Sequence, residues 1–381
     1  MTTNDRRKFL TGLTWTAAAA MLPWEVQGAA VQRAPAADGG IVINALGGLN
    51  DPNRDAGGGL VPEFSARVLS EAHASGLTAV NITLGYVSGS EDPFEASVRD
   101  IAATDARVRA NEGDLLKVLT ARDIRRAKAE KKIGLIYGFQ NGAMMGKDAT
   151  RVDIFANLGV RVFQLTYNPA NQLGDGSMAP ENRGLTPFGR EVVARLNERH
   201  VMVDLSHSGE RTCLEAARVS KAPISINHTG CRAVTDLPRN KTDAELRLVA
   251  ERGGFIGIYF MPFLNASGHA RADDVVAHID HAVNVCGEDH VGIGTDGSVT
   301  QIDDLHAYQA VLAKEIAERK AAGISAAGER PDTYPFVVDL RGPQQFHKLA
   351  QLLAQKGYSS GRIEKILGLN FLRYAESVWG S

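Results

Sequence analysis

The stretch PFGREVVARLNERHVMVDLSHSGERTCLEAARVSKAPISINH, residues 187–228, contains two short apolar runs that each end in a histidine. Residues 187–199 have helical periodicity, and residues 201–207 and 223–228 are predicted to be strands. Strands that alternate with helical stretches are typical of βα units around a parallel sheet. His207 and His228 are therefore expected at the carboxyl ends of neighbouring strands.

The same alternation extends over the rest of the chain from residue 41 onward. The eight predicted strands cover residues 41–46, 78–84, 133–139, 160–167, 201–207, 223–228, 254–260 and 290–295. Helical stretches such as 187–199, 242–251 and 273–285 follow most of them. Eight such units predict an α/β fold of the (β/α)₈ TIM-barrel type rather than an open Rossmann sheet. We expect residues 31–381 to form one domain, with residues 342–356 and 360–376 as closing helices.

Composition excludes several other classes of protein. The 381 residues are 44% hydrophobic and 23% charged, as in soluble globular proteins. The 42 Lys and Arg residues nearly balance the 44 Asp and Glu residues, so no strong positive field would attract nucleic acid. Cys213, Cys231 and Cys286 are not in a metal-binding spacing, and the sequence does not tell whether any two of them pair.

The first thirty residues have the pattern of an export signal. Arg6 and Arg7 precede Lys8-Phe9-Leu10, an apolar stretch covers residues 13–22, and small residues stand at Gly28-Ala29-Ala30. The paired arginines predict a twin-arginine-type signal peptide over residues 1–30, transport by the twin-arginine export machinery, and a cleaved, periplasmic product. The alternative is an uncleaved membrane anchor, but ten apolar residues are few against the roughly 20 that a spanning helix needs.

Polar residues follow the predicted strands, where a barrel of this type carries its active site. These residues are Gln140, Tyr167, Asn168, His207, His228 and Asp296. Two neutral imidazoles from neighbouring strands suit one divalent metal ion. The structural alternative is that each histidine is an ordinary hydrogen-bonded polar group and that Asp296, which precedes a glycine, caps a turn.

Asn168 and two further residues are candidates for substrate binding. Arg239 lies in the loop after the sixth strand, where its guanidinium group can hold a carboxylate in a bidentate manner or form a surface ion pair. Tyr259 begins the apolar run 259–264 after the seventh strand, and we expect this run to line the pocket. Such a run is equally compatible with a buried strand end or a subunit contact.

Several of these segments together resemble a known family. They are residues 182–193, 201–208, 226–230, 232–240, 290–296 and 363–371. They are similar to segments of the membrane (renal) dipeptidases, peptidase family M19, which are metallopeptidases with a (β/α)₈ barrel. The resemblance implies that His207 and His228 bind metal, that Arg239 holds the carboxylate of a dipeptide, and that Asp296 is the acid/base group. It also implies a divalent metal such as zinc and a homodimer.

The chain departs from the family pattern at the other metal site. The His-x-Asp pair of the first strand is replaced by Leu46 and Gly48 in an ungapped match, and a shifted match keeps Asp51 but still places a leucine at the histidine. The bridging glutamate is Gln140, and the histidine after strand four is Tyr167. Because two close cations need a bridging anion, we expect one ion rather than two, held by His207 and His228 and completed by Gln140, Asp296 or water.

These observations leave three hypotheses. The first is a metal-dependent hydrolase that cleaves the amide bond of a dipeptide or small peptide-like substrate with a free carboxylate, with Tyr167 donating a hydrogen bond to the oxyanion. The second is a catalytically altered barrel that binds a small exported ligand or processes it without hydrolysis. The third is a scaffold in which the polar groups at the strand ends satisfy one another. The number of metal ligands separates the first two.

Overall fold

A parallel β-sheet that closes into a ring forms the centre of the structure. The computed structural model describes residues 39–53 and 61–380, so the predicted signal peptide lies outside the described residues. The ten strands of the described residues are β1 Ile43–Gly48, β2 Ala79–Thr83, β3 Leu115–Lys117, β4 Ile133–Phe139, β5 Val160–Gln164, β6 Met202–Asp204, β7 Ser225–Thr229, β8 Phe255–Ile258, β9 Val291–Ile293 and β10 Gly297–Ser298. They follow one another in the order β10, β1, β2, β4, β5, β6, β7, β8, β9, and each pairing is parallel.

The ring closes where the last strand position meets the first. The chain runs from β9 through three residues into β10, which pairs with β1 at Gly47 and Gly48. Strands β9 and β10 therefore share one of eight positions, and the predicted (β/α)₈ barrel is confirmed. The side chain of Asn44 locks this seam, because its amide nitrogen donates to Thr295 Oγ1 (2.8 Å) and its amide oxygen accepts from Thr295 N (2.8 Å).

All eight predicted strands are present, but the prediction missed β3 and the two-residue β10 and extended some strands too far. Strand β3 has three residues and pairs with β4 outside the ring, so it is too short to show a period of its own. The predicted strands at 160–167, 201–207 and 290–295 end two or three residues earlier in the structure, at Gln164, Asp204 and Ile293. The residues beyond these ends form the loops that carry the polar side chains of the rim.

Helices surround the ring. They are α1 Ala66–Ala74, α2 Pro93–Ala110, α3 Ala121–Ala129, α4 Arg151–Asn157, α5 Pro187–Glu198, α6 Glu210–Val219, α7 Asp243–Glu251, α8 Ala272–Cys286, α9 Leu305–Ala321, α10 Gln345–Gln355, α11 Ser360–Glu364 and α12 Asn370–Trp379. Local sequence signals explain where helices begin, as α5 illustrates. Thr186 caps α5 by accepting from Gly189 N (2.9 Å), and Pro187 occupies the first turn, where its missing N–H costs nothing.

The closing helices are confirmed as α10, α11 and α12, with a π-helical turn at Lys365–Leu369 before α12. Phe371 and Trp379 of α12 join an apolar cluster with Ile43 and Phe255, the first residues of β1 and β8. Helix α12 therefore covers the end of the barrel that is opposite to the polar rim. Within the described ranges, no helix combines the length and the apolar character that a membrane span requires.

Candidate active site

Two buried imidazoles face each other at the polar rim. His207 follows β6 and His228 belongs to β7, and their ring centroids are 4.9 Å apart. His207 Nε2 and both ring nitrogens of His228 are buried without a hydrogen-bond partner. The structure thus brings together the two histidines that the sequence places at neighbouring strand ends, and it leaves three ring nitrogens without a partner, of which two, one on each neutral ring, carry a lone pair.

Both imidazoles are held in the neutral form. Burial, together with the nearby positive charge of Arg239, lowers the pKa of His207 and of His228 well below the usual value. A neutral imidazole has a lone pair with which it can bind a metal ion or accept a proton. The histidine pair therefore offers nitrogen lone pairs at neutral pH.

Asn168 fixes the tautomer of His207. Its amide nitrogen donates to the carbonyl oxygen of Ile324 (2.9 Å), so its amide oxygen faces His207 Nδ1 at 2.7 Å. This network assigns the proton to Nδ1 and the lone pair to Nε2. The ring of Tyr167 stacks on His207, with centroids 4.3 Å apart and an interplanar angle of 23°. Asn168 is buried and does not line the cavity. Its position favours a role in orienting the His207 ring. Contact between Asn168 and a substrate stays a prediction.

A cavity of about 340 Å³ opens on one side of the histidine pair. Three residues of the predicted set, Gln140, Tyr167 and Asp296, lie in its wall. The histidines do not line the cavity and lie behind this wall, with Tyr167 stacked on His207. The remainder of the wall comes mainly from the ends of β1 and β2 and from α2.

Asp296 has an unusual backbone and an unusual carboxyl group. Its φ of 58° is in the left-handed region, which Asp and Asn tolerate better than other residues with side chains. Its backbone N–H donates to Leu46 O (2.9 Å), which continues the seam between β1 and β10. Burial raises the pKa of Asp296 to about 7, against the opposing charges of Arg239 and Arg319. A carboxyl group with that pKa can exchange protons near neutral pH.

Arg239 and Tyr259 lie behind the histidines rather than in the cavity wall. Arg239 is 2% exposed and donates to the carbonyl oxygens of Ser206 (2.5 Å) and His228 (3.2 Å). Its guanidinium carbon is 5.5 Å from the ring centroid of Tyr259, whose hydroxyl donates to Asn240 Oδ1. Arg239 thus braces the two segments that carry the histidines. Substrate binding by Arg239 and Tyr259 stays a prediction.

Sequence reasoning missed Arg319, a charged residue of the wall. Arg319 of α9 lines the cavity, donates to the hydroxyl of Tyr167 (3.4 Å), and forms a buried ion pair with Glu329 (2.8 Å). A signal was present, because Tyr308, Leu312 and Ile316 form a buried stripe on α9 with helical spacing. Arg319 continues this stripe, and a charged residue at the end of an apolar stripe indicates a buried contact.

Comparison with known proteins identifies the family. Residues 63–328, more than two thirds of the chain, match the model of the membrane dipeptidases, Peptidase family M19. The chain belongs to the membrane dipeptidase family. The predicted resemblance is thereby confirmed, and the matched range begins after β1, the strand at which the chain departs from the family pattern.

The chain is also similar to individual proteins. The chain is 26% identical over 300 residues to an uncharacterised protein encoded in the pqqA 5′ region of Klebsiella pneumoniae, covering 76% of this chain and 98% of that protein. It is 29% identical over 262 residues to the dipeptidase tcpJ of Claviceps purpurea, covering 68% of this chain. The chain spans about half (54%) of the length of that dipeptidase.

Solved structures show the same fold. An amidohydrolase from Pseudomonas aeruginosa has 30% identity and a TM-score of 0.75, covering 91% of this chain and 98% of that one. A metallopeptidase from Rhodobacter sphaeroides, liganded with a phosphinate mimic of the dipeptide L-Ala-D-Ala, has 21% identity and a TM-score of 0.70. The two alignments cover 91% and 89% of this chain, so the likeness extends over almost the whole barrel.

The donor residues of this chain do not fit a two-ion centre. In residues 39–53 and 61–380, no group of three or more His, Cys, Asp or Glu side chains is arranged to hold a metal ion. Leu46, Gly48 and Leu49 line the cavity at the end of β1. The carboxylate of Asp51 does not line it, and instead accepts from the backbone (2.9 Å) and side-chain (2.6 Å) nitrogens of Asn53. The free imidazole nitrogens fit two ligands of a single ion.

The hydrogen bond between Asn168 and His207 gives a first prediction. Asn168→Ala removes the acceptor for Nδ1–H, so His207 should populate both neutral tautomers instead of one. The ¹⁵N chemical shifts of the His207 ring measure this change directly. Ser177→Ala is the matched control, because Ser177 Oγ donates to the same amide oxygen (3.2 Å) without contacting the imidazole in this network. Unchanged His207 shifts in Asn168→Ala would contradict the assignment.

The raised pKa of Asp296 gives a second prediction, for stability. The folded state binds this proton more tightly than the unfolded state, so the contribution of the protonated carboxyl is present at low pH and is lost as the pH rises towards about 7. Asp296→Asn keeps a residue that tolerates the left-handed backbone and has no such dependence. Relative to the wild type, its unfolding free energy should rise by about 3 kcal/mol between pH 5 and pH 8. Urea unfolding of chelator-treated protein at both pH values measures this, and an equal difference at both would refute it.

Proposed function

We propose that this protein hydrolyses the amide bond of a dipeptide or small peptide-like substrate that carries a free carboxylate, and that His207 and His228 hold one divalent ion, with zinc as the expected metal. One observation carries the proposal: three unpartnered ring nitrogens are buried in two facing imidazoles beside the cavity. A buried polar atom without a partner is costly unless a ligand satisfies it. Membership of the dipeptidase family supports amide hydrolysis as the reaction.

The choice of one ion over two rests on charge. Gln140 is neutral and cannot act as the bridging carboxylate that two close cations require. Arg239 is close enough to lower the pKa of both histidines, so it already adds positive charge to the site. The ligands of one ion beyond the two imidazoles would come from the amide oxygen of Gln140, from Asp296, or from water.

The residues of the cavity wall have separate roles in this proposal. A bound zinc ion supplies Lewis acidity, which lowers the pKa of a water ligand and polarises the carbonyl group. The Asp296 carboxylate accepts the proton of the attacking water and returns it to the leaving amine. Tyr167, whose hydroxyl oxygen already accepts from Arg319, uses its own O–H to donate to the developing oxyanion. The positive charges of Arg239 and Arg319 both oppose the rise in the pKa of Asp296, so both are close to this carboxyl group. A substrate carboxylate at the Asp296 end of the cavity is therefore attracted by both charges.

A second candidate function is favoured by the wall beside β1. Leu46, Gly48 and Leu49 offer no side-chain metal ligand there, and Gln140 has no charge. A barrel with this wall that binds or rearranges a small exported ligand without hydrolysis is the alternative. Metal content and turnover, measured together, distinguish the two functions. A homodimer also stays a prediction.

The metal proposal predicts the metal content of histidine variants. His207→Gln and His228→Gln should each lower the bound metal from about one ion per chain to a small fraction, because each removes one of two imidazole ligands. Elemental analysis of protein purified without chelator provides the measurement. His281→Gln is the control, since His281 is a partly buried histidine of α8 that contacts Asp243 (2.7 Å). If both site variants keep the metal content of the wild type, these histidines are not the ligands.

We also propose that the protein is exported by the twin-arginine route to the periplasm, on the basis of Arg6, Arg7 and the apolar stretch that follows. Replacing both arginines by lysine keeps the charge and removes the paired guanidinium groups. The variant should accumulate in the cytoplasm with its signal uncleaved, as measured by cell fractionation and mass spectrometry. Normal processing of the variant would exclude this route.

A further inference from the structure

The cavity has an apolar part that the proposed chemistry does not use. Five buried apolar side chains form its wall at the ends of β1 and β2 and before α1, and each is at most 6% exposed. We call this part the β1 chamber, defined by Leu46, Leu49, Phe64, Ile82 and Leu84. These side chains line the same cavity as Asp296 and Tyr167, so a molecule that reaches the reacting groups also meets the chamber.

The charged residues of the cavity rim are compensated among themselves. Arg107 pairs with Glu63 (3.0 Å) and lies 3.8 Å from Asp100, and Arg99 pairs with Glu91 (2.5 Å). These pairs need no ligand of opposite charge. The cavity therefore has a reactive polar end, with Asp296, Tyr167 and Arg319, and an apolar part, where the Arg107 guanidinium carbon lies 5.8 Å from the ring centroid of Phe64.

We propose that the β1 chamber is a subsite for an aliphatic or aromatic group adjacent to the scissile amide, and that it makes the protein selective for apolar amino-acid substrates. The inference rests on the proposed function for the identity of the amide, and on the cavity wall for the apolar group. Water in such a chamber finds few hydrogen-bond partners, so an apolar group displaces it favourably. A volume of about 340 Å³ is within the range of small-molecule sites and leaves room for a side chain besides the peptide unit.

The same wall argues against a cation in the chamber. Its five defining side chains have no oxygen, nitrogen or sulfur atom, and Gly48 beside them has no side chain to offer. A cation in contact with these five side chains would lose hydration that they cannot replace. An apolar occupant loses nothing of this kind, so the position at which the chain departs from the family pattern becomes a determinant of specificity.

The test uses two dipeptide series, Xaa-Ala and Ala-Xaa, in which Xaa is Gly, Leu or Phe. In one series, kcat/KM should be about 10- to 200-fold higher for Leu or Phe than for Gly, since pocket selectivity for apolar groups lies in that range. Leu49→Asn changes the chamber wall to a polar side chain of similar size and should reduce this preference to a few-fold. Leu49→Met is the matched control and should keep it.

A second variant keeps the test informative if Leu49→Asn does not fold. Phe64→Leu remains apolar and enlarges the chamber, so the preference should shift from Leu towards Phe substrates while Gly substrates are little affected. Equal kcat/KM for Gly, Leu and Phe in both series of the wild type would overturn the inference and leave amide hydrolysis intact.

Binding separates the inference from the proposed hydrolysis. If no dipeptide is cleaved, calorimetry with N-acetyl-L-phenylalanine and N-acetylglycine compares an apolar probe with a minimal one that carries the same carboxylate. Tighter binding of the phenylalanine derivative, lost in Leu49→Asn and kept in Leu49→Met, would support the chamber even though hydrolysis had failed. Equal binding of the two probes would overturn it.

Discussion

The pairing of β1 with β10 is the constraint on which the site depends. It closes the sheet into a ring, and the two hydrogen bonds between Asn44 and Thr295 fix the seam at the residue before Asp296. Asp296 then adopts a left-handed backbone and donates its N–H to Leu46. This geometry holds its carboxyl in a desolvated position in the cavity wall, where burial raises its pKa to about 7. Barrel closure and the raised pKa of Asp296 therefore depend on the same short segment, Thr295 and Asp296, and on its hydrogen bonds to β1.

The positive charge near the histidine pair is a second constraint on the site. Arg239 braces the carbonyl groups of Ser206 and His228 and thereby lies close to both imidazoles. Its positive charge and the burial of the rings keep both histidines neutral. The same charge disfavours an accumulation of cations, and Gln140 provides no negative charge to offset it. We therefore propose a single ion on the two neutral imidazoles, because these groups offer two nitrogen ligands and no negative charge.

The barrel and the rim residues could be predicted from the sequence because each depends on a local signal. Apolar strand runs and capped helices reveal the eight units, and the strand ends locate His207, His228, Gln140, Tyr167 and Asp296. Contacts across the fold leave no such signal. The role of Asn168 depends on a carbonyl of Ile324, 156 residues away. The stripe on α9 indicates that Arg319 is buried, but it does not show that Arg319 enters the wall of this cavity from a helix outside the repeating units. The sequence also could not show that Arg239 faces carbonyl groups instead of the cavity.

Anomalous diffraction at the zinc absorption edge, from crystals grown with zinc, tests the central claim most directly. The account predicts one anomalous peak per chain, within about 2.0–2.1 Å of one ring nitrogen of His207 and one of His228. It predicts no peak in the β1 chamber beside Leu46 or Leu49. Two peaks about 3.5–4 Å apart would show a two-ion centre and contradict the account. The absence of a peak at the two histidines would contradict it equally.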